Sequence, residues 1–306
     1  MGWRYSVQMT TNRLKTTPAL RDIRILSLAL NLPGPAALMR LRSMGATCIK
    51  AEPPAPAGLA SSDPMLQYNA AAYEHMHQGI RTLTINLKTE AGQAQLHKEL
   101  ARTDVLLTSF RPSALHKLGL GWKTLHKAFP QLNLVTIVGA PGERAEEPGH
   151  DLTYQADAGL ITGNDLPASL LADMGGALMA SEAVLAAVLA RARKGQGVMQ
   201  EVALSSAADW LALPRHWGLT TPKAVLGGTH AGYRIYPCKN GRVALAALEP
   251  HFAAALCKVI GLEMHGMATM FKPETHQAVA AFVAGKTRAQ LDKLAVQHDI
   301  PLHTMA

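Results

Sequence analysis

The chain has 306 residues, about twice an ordinary domain, so more than one core is expected, and 48% hydrophobic against 17% charged residues excludes disorder for the chain as a whole. Thirty Lys and Arg against 22 acids give a formal charge of +8, which favours a polyanionic partner, while 5% aromatics and scattered basic residues argue against a nucleic-acid partner. Cys48, Cys238 and Cys257 lie far apart without a C-x-x-C pair, which disfavours a disulfide framework and a structural zinc site and fits a reducing, cytoplasmic setting.

Residues 1–20 are expected to be a flexible segment. Arg4, Arg13 and Lys15 occur there without an acid, in a transit-peptide-like texture, and Met-Gly-Trp-Arg-Tyr-Ser fits the loose acylation pattern. Next, Ile23–Leu28 reads as a buried strand, Pro35–Met44 as a helix after the Pro33-Gly34 break, and Thr47–Glu52 as a second strand. Thr82–Asn86 is a third strand, followed by a helix capped by Thr89. Val105–Ser109, a helical piece near Lys123–Phe129 and the β-branched run Leu134–Val138 continue the alternation. Strands alternating with helices predict an α/β fold with a doubly wound, mostly parallel, Rossmann-like sheet.

Pro141–Pro148 reads as a surface loop. Leu178–Ala192 predicts a long buried helix ending at Gly195, with Asp173 near its start; Val198–Leu204 is a strand and Ser205–Trp210 begins a helix. No run of about 18 uncharged apolar residues occurs, since Ala180–Ala190 contains Glu182 and is followed by Arg191, so no membrane association is expected. The Pro- and Gly-bearing stretch 222–229 marks a boundary between a large domain, 21–221, and a smaller α+β domain, 222–306. That smaller domain opens with a hairpin, Tyr233–Tyr236 and Val243–Ala247 around Lys239-Asn240-Gly241, and helices are expected to fill the rest.

The first strand-to-helix turn, Asn31-Leu32-Pro33-Gly34-Pro35, lacks G-x-G-x-x-G, and no P-loop pattern occurs, so neither a nicotinamide nor a P-loop nucleotide site is expected. His75 and His77 share a face if extended, but without nearby acids they read as surface histidines rather than a metal pair. His150-Asp151 could supply an imidazole oriented by a neighbouring carboxylate; the plainer reading is Asp151 as a helix cap beside a solvated His150. Asp173, before Met174-Gly175-Gly176, places a carboxylate where small residues and backbone amides let a ligand approach, or else simply caps the helix. Glu249 before Pro250 is a carboxylate between apolar runs, or a helix-start Glu.

These sites fall within an ordered set of motifs: Gly34-Pro35, Gly45-Ala46, Ile49-Lys50-Ala51-Glu52-Pro53, Leu87-Lys88, Ser109-Phe110-Arg111-Pro112 and Leu118-Gly119-Leu120-Gly121. The set continues with Gly149-His150-Asp151-Leu152-Thr153-Tyr154, Leu171-Ala172-Asp173, Lys194-Gly195-Gln196-Gly197 and Leu248-Glu249-Pro250. From about Leu20 to Leu262 the sequence resembles the family III CoA-transferase (CaiB/BaiF) superfamily, most closely its 2-methylacyl-CoA racemase branch. The resemblance implies an acyl-CoA thioester as substrate, with coenzyme A entering as part of it and no tightly bound cofactor or metal. It implies His150 and Asp173 on opposite faces of the thioester α-carbon, Glu249 supporting the histidine, and contacts to the CoA moiety from Lys50, Lys88, Arg111, Lys117, Gly149, Asp151 and Tyr154. Amides at the start of the Asp173 helix would then stabilise an enolate oxygen. In the transferase branch the Asp173 carboxylate would instead attack the thioester carbonyl, and a catalytically silent CoA binder is the third alternative. The chain departs from the racemase pattern at Pro53, where an arginine is usual, and at Met174 and Ala177. The His150–Asp173 interval is short, and the chain stops at Ala306 where relatives return to the large domain. A C-terminally shortened fold is therefore expected, and a homodimer whose interlocking the short C-terminus puts in question.

Overall fold

The computed structural model describes residues 18–306. The basic and acylation patterns near the N-terminus, and most of the segment 1–20, lie outside the described residues. Two compact units divide the chain, Met1–Ala212 and Leu213–Ala306. The division falls within a helix rather than at 221/222, because that helix runs on through Pro214 before the Pro- and Gly-bearing stretch begins.

The first unit alternates strand and helix: β1 (Arg24–Ser27), α1 (Pro33–Ser43), β2 (Thr47–Glu52), α2 (Pro64–Tyr68), α3 (Ala70–His77), β3 (Arg81–Thr84) and α4 (Glu90–Leu100). It continues with β4 (Val105–Thr108), α5 (Pro112–Lys117), α6 (Trp122–Ala128), β5 (Asn133–Val138), α7 (Asp151–Asp157), α8 (Leu171–Lys194), β6 (Met199–Ala203) and α9 (Leu204–His216). The sheet order is β3-β2-β1-β4-β5-β6 and every pairing is parallel, the doubly wound arrangement expected. Period-2 alternation feeds two cores. Ile25, Val105, Leu107, Val135 and Ile137 meet α1 and α8 on one face, while Leu26, Leu106 and Leu134 meet α4, α5 and α6 on the other. Each such Leu or Ile, fully buried, contributes about 1.5–3 kcal/mol of transfer free energy.

Several elements differ from expectation. Pro33 and Gly34 are the first residues of α1 rather than a break before it, since proline's missing N–H costs nothing in a first turn. Helices α2 and α3 occupy a stretch where no element was expected. Helix α8 starts at Leu171, seven residues before Leu178, so Asp173 lies inside its first turn rather than ahead of it. By length and mean hydropathy α8 would suffice to cross a membrane, despite Asp173 and Glu182. Its Ala177, Ala180 and Val184 are instead packed in the core with α1 and the sheet. Of the Gly175-Gly176 pair, Gly176 is packed so tightly on Leu204 of α9 that a Cβ there would overlap the leucine, while Gly175 lines a separate cavity with Leu178 and Trp210.

In the second unit β7 (Tyr233–Cys238) and β8 (Gly241–Ala246) form the expected hairpin. Helices α10 (Pro250–Ile260), α11 (Pro273–Ala284) and α12 (Arg288–His298) follow. The remainder is not all helical, because β9 (Leu302–Met305) pairs antiparallel with β8 and completes a three-stranded sheet. Tyr236, Val243, Leu245, Leu256 and Val279 share its core.

Candidate active site

In an open parallel sheet, the crevice where strand order reverses opens at the carboxyl ends of the two diverging strands. Here those are β1 and β4, and a cleft of about 190 Å³ lies at their ends and at that of β5. Asn31 and Arg111, from the loops after β1 and β4, line it together with Gly149, His150, Tyr154 and Asp173. Five of the ten residues in the expected CoA and acid/base sets, from three separate stretches of sequence, thus line one cleft.

Asp173 is the third residue of α8, so it is not the helix cap; Leu170 holds that position. Its own backbone N–H donates to Asp151 Oδ1 at 3.0 Å. Asp151 Oδ2 accepts from Gln155 Nε2 at 2.5 Å, and Gln155 Nε2 also reaches Ser169 O at 3.1 Å. Burial, and then the charge of Asp151, raise the Asp173 carboxyl from 3.8 to about 6. Both causes disfavour the ionised form and together outweigh the helix N-terminus, which alone would favour it. A carboxyl poised near neutrality can both take and return a proton.

His150 is the residue before α7, and it is exposed. The Thr153 hydroxyl donates to its carbonyl at 2.7 Å and accepts from its N–H at 3.1 Å, which fixes the backbone and leaves the side chain to the cleft. The neighbouring carboxylate does not orient the ring, contrary to expectation, because Asp151 is spent on Gln155 and the Asp173 amide. Asp151 is also buried, 5% exposed, so it acts behind the cleft rather than as a CoA contact. The same bond removes the Asp173 amide from the donors expected for an enolate oxygen. Tyr154 is wedged between Gly139 and Gly149, where a Cβ on either glycine would overlap the phenol. Burial and then the Asp173 charge raise its hydroxyl above the usual range, keeping it a donor.

Of the other expected residues, Lys50, Lys88 and Lys117 of the first unit are absent from the cleft lining. Lys50 is 0% exposed and offers no cation to a phosphate: its Nζ donates to Glu52 Oε1 at 2.8 Å, to Asp63, and to His77 Nε2 at 2.8 Å. His77 is therefore not a surface histidine; the stretch forms α3, which exposes His75 and turns His77 inward. Burial lowers the His77 pKa, and its Nδ1 bonds Tyr73 O at 2.6 Å. Glu52, Asp63 and His77 place ligand atoms within 4.8 Å of one another, but the Lys50 ammonium bonds all three and fills the position a metal cation would take. Lys88 and Lys117 are exposed outside the cleft lining. Glu249, in the second unit, is an exposed residue at the start of α10 whose carbonyl accepts from Ala253 N, with Pro250 as the first helical residue.

Two contributors escaped the sequence reading. Gln155 buttresses Asp151, and its position four residues on in a helix is the signal that could have revealed it. Asp63 is the cap of α2, and Asp63-Pro64 is a recognisable helix start.

The family model of CoA-transferase family III matches residues 20–306, and the chain belongs to that family. It is 29% identical over 293 residues to the alpha-methylacyl-CoA racemase of Mus musculus, covering 89% of this chain and 73% of that protein. It is 32% identical over 270 residues to a probable fatty acyl-CoA transferase of Mycobacterium tuberculosis, covering 79% of this chain and 68% of the other. The crystal structure of a hypothetical protein from Mycobacterium tuberculosis superposes with a TM-score of 0.78 at 25% identity, over 95% of this chain and 86% of that one.

Proposed function

We propose that the protein inverts the α-carbon of a 2-methylacyl-CoA thioester by proton removal and return. The observation that carries this reading is the Asp173 carboxyl, raised to about 6 by burial and Asp151 and placed in one cleft with His150. The thioester carbonyl acidifies the α-hydrogen. One of the two groups removes that proton, the electron pair moves onto the carbonyl oxygen as an enolate, and the other group returns a proton to the opposite face. A carboxyl near neutrality serves either direction of proton transfer. Tyr154 supplies a hydroxyl beside Asp173, and Arg111 supplies a cation at the cleft for the anionic CoA moiety. Coenzyme A enters with the substrate, and no tightly bound cofactor is required.

A second reading, CoA transfer between carboxylic acids through an aspartyl anhydride at Asp173, draws on the likeness to the probable fatty acyl-CoA transferase. The deciding experiment incubates the protein with a 2-methylacyl-CoA in deuterated water and follows the thioester by mass spectrometry. Uptake of one deuterium with loss of chirality, abolished in His150→Ala and in Asp173→Ala, supports the racemase reading. No uptake, with CoA captured by an added carboxylic acid and an Asp173 adduct trapped by hydroxylamine, selects transfer. Neither activity leaves a silent CoA binder.

A further inference from the structure

We infer that Asp63 is a positioning residue for the cleft: it clamps the loop after β1 in a left-handed turn at Asn31, and the buried Lys50 ammonium clamps Asp63. The substrate side of this inference rests on the acyl-CoA reading; the clamp itself does not.

Asn31 lines the cleft with φ at 66°, a conformation uncommon outside glycine. Its amide donates to Asp63 Oδ1 at 3.0 Å, a contact across 32 residues of sequence. The same oxygen accepts from Met65 N at 3.0 Å, which fixes it at the head of α2. The other oxygen, Oδ2, takes the Lys50 ammonium. Lys50 spends its remaining protons on Glu52 and His77, and His77 can accept because its Nδ1–H is committed to the Tyr73 carbonyl. Glu52 is in turn held by the hydroxyls of Ser61 and, at 2.8 Å, of Tyr73. With each of these bonds made, the Asp63 carboxylate has no alternative orientation, and the position of the Asn31 amide follows. Lys50, Glu52, Asp63 and His77 are all absent from the cleft lining, and the Asp63–Asn31 bond links their side chains directly to a residue that lines it.

The test titrates coenzyme A calorimetrically into the full chain, its Asp63→Ala variant, and Asp63→Ala combined with Asn31→Gly. Without the clamp the competent loop is expected about one time in ten, which weakens binding about tenfold. Glycine adopts the positive φ without penalty, so Asn31→Gly recovers most of that loss in the Asp63→Ala background. For turnover, KM rises more than kcat falls. Hydrogen exchange of the segment 29–32 without ligand reads the clamp directly: Asn31 is protected in the parent and exchanges faster in Asp63→Ala. If Asp63→Ala does not fold, Asn31→Val in the otherwise intact chain shows the tenfold loss, because a β-branched residue resists positive φ. A folded Asp63→Ala that binds as the parent does, glycine that restores nothing, or Asn31→Val that binds normally would each overturn the inference. A parent that takes up no coenzyme A defeats the acyl-CoA reading, and the exchange data then decide the clamp alone.

Discussion

Two groups of carboxylates in the first unit, Glu52 with Asp63 and Asp151 with the half-buried Asp173, are treated oppositely. Glu52 and Asp63 surround an ammonium, and hydroxyls and backbone amides take their remaining acceptor positions. Asp151 and Asp173 sit together with no salt-bridge partner among the described residues, hold one amide and one glutamine between them, and leave Asp173 facing the cleft. In the first group the bonds from Lys50, Ser61 and Tyr73 outweigh burial and keep the Glu52 carboxyl below its ordinary range. In the second the charge is left uncompensated, and Asp173 rises to about 6. Charge balance, more than burial, separates acids that hold the fold from an acid available for chemistry.

Removing the cation should break the contrast most severely. Lys50→Met leaves two buried carboxylates without their counter-charge, and an expected loss of about 3–5 kcal/mol would appear as a lower midpoint in urea. Next, Asp173→Asn should act on the two properties in opposite directions. Proton exchange at the α-carbon falls by about 10²–10⁴ while the melting temperature at pH 8 rises, since the penalty of ionising a buried carboxyl disappears. The sign follows from linkage. With its folded pKa raised above the unfolded value, Asp173 costs nothing below pH 3.8, and its cost grows until pH passes about 6. The stabilisation by Asn is therefore absent at pH 3 and full at pH 8.

A smaller effect sharpens the electrostatic claim. Asp151→Asn keeps an acceptor for the Asp173 amide but removes the charge, so the limb of the pH–rate profile assigned to Asp173 moves toward acid from about 6. Burial, the larger cause, remains and limits the movement. A limb that stays in place would assign the shift to burial alone. The smallest effect belongs to Tyr73→Phe, which removes one of the hydrogen bonds on Glu52 and is expected to cost about 0.5–1.5 kcal/mol.

The sheet was legible because its strands are short apolar runs separated by helices, and Thr47–Glu52 matches to the residue. Asp173 and His150 were singled out by their local chemistry, Tyr154 and Arg111 by motif order alone, and all four line the cleft. Lys50 could not be placed, since a lysine between Ile49 and Ala51 looks the same in sequence whether its head reaches solvent or three partners up to 27 residues away. The partners of Asp151 were hidden for the same reason: adjacency to His150 suggested the imidazole, whereas the first turn of α7 sends the carboxylate toward α8. Strand β9 was missed because Leu302–Met305 has too few residues for a periodicity and is defined by pairing with β8.

The parallel pairing of β5 with β6 also sets a clock. Leu134 on β5 pairs with Met199 on β6, 65 residues later. At about 5–20 residues per second, a ribosome leaves the apolar edge of β5 without its neighbour for roughly 3–13 s. Over that interval Leu134–Val138 is a nascent strand with an open flank, and a holdase or a second nascent chain competes with β6 for it. The yield of folded protein should therefore depend on translation speed through 139–198 more than on the thermodynamic stability of the finished sheet.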